Sequence, residues 1–96
     1  MTALDDLALD YKVAFLRYLP HRNEAAARSG YELGRSAVTN GHSLLDLARI
    51  HHETLLEVLR DTPTQDLTQV ATAASEFFLE VLATYDMAHR RFHELG

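Results

Sequence analysis

The sequence predicts an all-α fold: an antiparallel four-helix bundle with an extended C-terminal helix, expected to be dimeric. Three observations predict it. Apolar residues recur at helical spacing along the 96-residue chain, and no run alternates as a half-buried strand does. Breakers and caps fall at Pro20, at "NGHS" (40–43) and at "DTPTQ" (61–65), leaving four segments joined by short loops. The last segment then runs unbroken to about Glu94.

The first helix is expected from Ala3 to Leu19, with Thr2 as N-cap and Asp5 and Asp6 at the positive end of the helix dipole. Pro20 stops it. Its main apolar stripe is Leu4, Leu7, Tyr11, Ala14, Phe15 and Tyr18. The second helix covers Arg22 to Thr39 and gathers Ala26, Gly30, Gly34 and Ala37 on one face. A mid-helix glycine costs up to about 1 kcal/mol relative to alanine, so close approach by another helix is expected there. Gly41 serves as C-cap glycine and Ser43 as the next N-cap. The third helix, Leu44 to Leu59, carries Leu44, Leu47, Ala48, His51, Leu55 and Val58 on its stripe. Thr62, Pro63 and Gln65 then fit the N-cap, first position and third position of a capping box. The fourth helix builds the bundle through Phe77, Phe78, Val81, Leu82, Tyr85, Ala88 and Phe92. At 1.5 Å per residue it reaches about 45 Å against roughly 25 Å for the others, so "MAHRRFHELG" should project beyond the core.

Composition narrows function. The chain is expected to be one domain, residues 1–96, of a size that buries only about 60–65% of its unfolded surface and so favours oligomerisation. Nine basic residues against fourteen acidic give a net charge of −5, and no basic patch suits nucleic acid. Cysteine is absent, which removes thiolate chemistry and fits a reducing cytoplasm. The acidic N-terminus does not read as a signal peptide, and no apolar run approaches a membrane span.

The residues do not support catalysis. There is no P-loop, no nucleophile elbow and no glycine-rich fingerprint, and no cluster of converging titratable groups. "HHE" at 51–53 lacks zincin spacing. Asp86 and His89 form a lone Asp-x-x-His with no second copy, where a di-iron bundle needs paired motifs. His89 and His93, at i, i+4, form at most an adventitious two-residue site. No cofactor and no metal is therefore expected. His51, mid-stripe, reads as a buried, hydrogen-bonded core residue, with Tyr11, Tyr18 or Tyr85 as partner.

Two helices carry more apolar surface than one core can use. On the first, Leu9, Val13 and Leu16 form a second stripe, read as a homodimer seam. On the fourth, Leu79, Ala83 and Met87 lie on a different side from Phe77 and Val81. The second helix offers a charged strip, Glu24, Arg28, Glu32 and Arg35, which reads as an ordinary solvated face or equally as the rim of a docking site.

"DYKVAFLRYL", "LARIHHETLLEVL" and "SEFFLEVLATYDMAHRRF", in that order, resemble the N-terminal domain of the stress-response phosphatase RsbU. The resemblance runs from about Leu9 to Phe92 and is most specific in the last piece. It implies a dimeric four-helix regulatory domain, related to the C-terminal domain of the clock protein KaiA. The resemblance further implies that, as in the RsbU N-terminal family, the domain binds a GHKL-type switch kinase of the RsbT kind and so turns on an attached PP2C-type phosphatase. Carried over, Leu79 and Ala83 of the fourth helix and Glu24 and Arg28 of the second would lie on the partner-binding surface. Met87 continues that stripe. Ala83 and Arg28 depart from the bulkier apolar and aromatic anchors that hold a partner best. No phosphatase motif follows in the chain, so an input domain, excised or stand-alone, is expected.

The function expected is thus a non-catalytic, cytoplasmic signalling domain that homodimerises and binds an RsbT-like switch kinase, with no nucleic acid or membrane partner. Two other readings remain open: a metal- or small-ligand-binding bundle using His51, His52, His89 and His93, and a purely structural dimerisation module.

Overall fold

Local signals place most helix ends. In the computed structural model, which describes residues 2–20 and 24–95, α1 spans Ala3–Tyr18, α2 Glu24–Thr39, α3 Leu44–Arg60 and α4 Leu67–Leu95. At the start of α1, the Thr2 hydroxyl accepts from the Asp5 N–H at 3.1 Å and the Asp5 carboxylate accepts from the Thr2 N–H at 3.2 Å. Ser43 and Asp46 repeat this reciprocal cap on α3, at 3.1 and 3.0 Å. Each cap satisfies two of the amides that a helix start leaves unpaired. The end of α2 is a Schellman motif. Gly41 adopts φ +76°, which lets its N–H reach Val38 O and the His42 N–H reach Ala37 O.

The expected cap at Thr62 is corrected. The Thr62 hydroxyl donates back to Val58 O at 2.7 Å, so it closes α3 instead of opening α4. Pro63 enters a short 3-10 turn, Thr64–Asp66, without a side-chain cap, and α4 starts only at Leu67. The expected start of α2 at Arg22 lies outside the described residues.

Consecutive helices run antiparallel, and the four share one core. α2 lies chiefly against α4, α1 bridges α2 and α3, and α3 rests on α4 and α1. Gly30 faces Phe77 and Val81, while Gly34 faces Val81, Thr84 and Tyr85. Both series ascend together, so α2 and α4 are parallel neighbours. A Cβ at Gly34 would sit 2.6 Å from the Val81 carbonyl oxygen and 2.9 Å from the Tyr85 amide nitrogen. Backbone therefore meets backbone, and only glycine permits it. This contact offsets the helix-propensity cost of the two glycines.

Phe77, fully buried, centres the core. Tyr11 and Phe15 of α1 meet it edge-on, at centroid distances of 5.3 and 5.8 Å. Burying a side chain of this size contributes about 1.5–3 kcal/mol, with about 0.5–1.5 kcal/mol more per aromatic pair. Tyr85 is the last buried residue of α4 among those described, and its hydroxyl donates to His42 O at 2.8 Å, pinning the α2–α3 turn. Beyond it α4 leaves the bundle, and with this helix as its spine the molecule measures 48 × 29 × 18 Å.

Several stripe residues are exposed. Phe92, read as a bundle-building residue, is 66% exposed because it lies two turns past Tyr85, where no helix remains to cover it. Leu4 and Leu44, at the first turns of α1 and α3, are exposed at that same end. On α3 the buried line is Leu47, Ile50 and Thr54, not the line through Ala48 and His51. That rotation leaves Ala48 exposed and His51 half-buried at the edge of the core.

Candidate functional site

The fourth helix has two apolar faces with opposite fates. Phe77 and Val81 are fully buried, whereas Leu79 is 62% and Met87 64% exposed. Ala83, between them at i, i+4 spacing, is exposed as well. The cause is the helical period: residues 79, 83 and 87 share one face about 160° from that of Val81. The core side is taken up by α1, α2 and α3, and none of these reaches the other side.

Glu24 and Arg28 are exposed on α2, the helix packed parallel to α4. Their face is tied to α4 by two residues that the sequence reading missed. The Tyr31 phenol stands beside the Glu80 carboxylate, and Glu24 lies close enough to act on it electrostatically. Glu80 is the main influence raising the Tyr31 phenol above its ordinary value, and burial and the charge of Glu24 add to it. Tyr31 is itself 41% exposed. Tyr31 and Glu80 thus link the Glu24 side of α2 to α4, on which Leu79, Ala83 and Met87 stand exposed. The signal for Tyr31 was present, since it stands seven residues after Glu24 and three after Arg28 on one helical face.

The α1 stripe is also outside. Leu9, Val13 and Leu16 are all exposed, Leu9 by 57%. Leu9 and Val13 border a shallow groove between α1 and α2, lined on its polar side by Arg17, Glu32 and Ser36.

The histidines separate into distinct settings. His51 Nδ1 pairs with the Tyr11 hydroxyl at 2.6 Å, and its ring stacks on Phe78 at 4.0 Å with planes 3° apart. Desolvation, followed by repulsion from His52, lowers the His51 pKa from its ordinary value. Burial alone raises that of Tyr11. The expected hydrogen bond is therefore present, although the ring is half-buried. His89 and His93 lie on the projecting end of α4 with their Nε2 atoms 3.2 Å apart. Among the described residues, no group of three or more His, Cys, Asp or Glu side chains is placed to hold a metal ion.

The family model for the N-terminal domain of the phosphoserine phosphatase RsbU matches residues 9–88, and the chain belongs to that family. That family is a regulatory N-terminal domain, distinct from the catalytic phosphatase domain. No curated protein and no solved structure matches the chain. Among the described residues, no helix is long and apolar enough to cross a membrane.

Proposed function

We propose that this domain works without catalysis, as a cytoplasmic homodimer that binds an RsbT-like switch kinase and so regulates an attached or associated serine/threonine phosphatase. The observation that carries the reading is the exposure of Leu79 and Met87 opposite the buried Phe77 and Val81. A small domain gains nothing in folding from a large apolar side chain that no neighbour covers. A partner that covers it gains the burial. In this reading Leu79, Ala83 and Met87 form the dry centre of the docking surface. Glu24 and Arg28, with Tyr31 and Glu80, form the polar rim that fixes orientation.

The α1 stripe supports the homodimer half of the proposal. Leu9, Val13 and Leu16 lie on α1, away from the outer side of α4, so self-association and partner binding use separate surfaces. Family membership supports the class of partner, and the long α4 suits transmission because a continuous helix carries a docked state beyond the bundle.

The test is binding of a recombinant RsbT-class kinase, followed by calorimetry. Truncating a central apolar anchor typically costs about 2 kcal/mol or more, roughly thirtyfold in affinity. Leu79→Asp should abolish measurable binding, and Met87→Asp should weaken it strongly. Unchanged affinity in both variants would place the docking surface elsewhere.

A further inference from the structure

We propose that His89 and His93 form a two-imidazole site for a divalent cation of the zinc class, on the projecting end of α4. This pair stands apart from the docking surface. The two residues lie one turn apart on the same face of the helix. Their Nε2 atoms are 3.2 Å apart, with ring centroids at 4.4 Å and planes at 67°. Zinc takes imidazole nitrogen at about 2.0–2.1 Å, and two such bonds at a tetrahedral angle separate the nitrogens by about 3.3 Å. The pair already stands at the metal's bite.

The first of these rings is held in place. His89 stacks on Tyr85, with centroids at 5.7 Å and planes 13° apart, and the Tyr85 hydroxyl is anchored on His42 O. A chain of contacts therefore runs from the α2–α3 turn through Tyr85 to His89 and on to His93. Asp86 lies one turn before His89, and its carboxylate is engaged by Arg90 at 3.2 Å. With two protein ligands, water completes the coordination sphere.

The 3.2 Å separation also fits a hydrogen bond, in which one neutral ring donates from Nε2 to the other. On metal binding, that proton moves through solvent to Nδ1 of its own ring. Both Nε2 lone pairs are then free for the ion, with no net change in protons on the neutral pair. Imidazole ligands select zinc, nickel or copper, whereas magnesium and calcium require oxygen. A bound ion clamps one turn of the helix as it leaves the bundle, and by linkage the ordered helix in turn favours the ion.

The experiment is calorimetric titration of the tag-free protein with zinc chloride, and with magnesium chloride as control. Wild type should bind zinc and give no magnesium heat. His89→Ala and His93→Ala should each weaken zinc binding by about tenfold or more, since losing an outer partner of a ligand already costs 10–100-fold. His52→Ala, on exposed α3 surface, should bind as wild type does. Circular dichroism should show all three variants as helical as wild type, because the replaced side chains are exposed. The site is refuted if wild type takes up no zinc at millimolar concentration, or if His89→Ala and His93→Ala both bind zinc as wild type does.

Discussion

The Tyr11 hydroxyl and His51 Nδ1 meet at 2.6 Å across 40 positions of sequence, joining α1 to α3 at the edge of the aromatic core. The tyrosine is buried and the histidine half-buried, so neither polar atom is easily rehydrated if the other is lost. Tyr11→Phe should lower stability by about 1–2 kcal/mol, and His51→Ala by about 1–3 kcal/mol, because it also removes the ring stacked on Phe78. Urea denaturation of each variant reads these values directly.

His51 also implies a pH dependence. Its pKa is lowered in the folded state by desolvation, then by His52, so the unfolded chain binds the proton more readily. Stability from this group is then present above the ordinary imidazole value of about 6.5, and it is lost as pH falls from there through the folded pKa. The denaturation midpoint should decline on acidification through this window. The decline should be shallower in His51→Phe, which cannot titrate.

The glycines of α2 should respond unequally to alanine. At Gly34 a Cβ meets the α4 backbone at 2.6 Å, whereas at Gly30 it meets the Phe77 ring edge at 3.3 Å. Gly34→Ala should therefore destabilise by about 1–3 kcal/mol through forced separation of α2 and α4, despite a gain of about 1 kcal/mol in helix propensity. Gly30→Ala should cost clearly less. Thermal melts of the two variants side by side make the comparison.

Self-association should depend on α1. Wild type is expected to be a dimer at tens of micromolar, and Val13→Asp a monomer of unchanged helicity. Light scattering with circular dichroism distinguishes these states. A monomeric wild type would overturn the α1 seam.

Much of this fold was legible because its signals are local. Thr2, Ser43 and Gly41 act within a turn of where they stand, and each takes its expected part. Gly30 and Gly34 signalled a close helix contact through a propensity cost that only packing offsets. The failures have physical causes too. Thr62 has two carbonyl-rich and amide-rich neighbourhoods within reach, and hydropathy cannot say that its hydroxyl turns back to Val58. On α3, buried Thr54 was not counted as apolar, so the stripe was read as centred on His51 and Ala48. Phe92 fits the helical period of the core face, but periodicity is blind to where neighbouring helices stop. Glu80 needed the parallel placement of α2 and α4, which no single-helix pattern contains. Leu79, Ala83 and Met87 stood out because charge separates them from the core stripe.

The central claim is that α4 divides its apolar residues between folding and docking. The most direct measurement pairs Leu79→Asp with Val81→Ala, reading melting temperature and RsbT-class kinase affinity for each. Leu79→Asp should abolish binding with the melting temperature nearly unchanged. Val81→Ala should lower stability by about 1–3 kcal/mol through a buried cavity, while the protein that remains folded binds as wild type does. If Leu79→Asp unfolds the domain, or leaves kinase binding intact, the division fails.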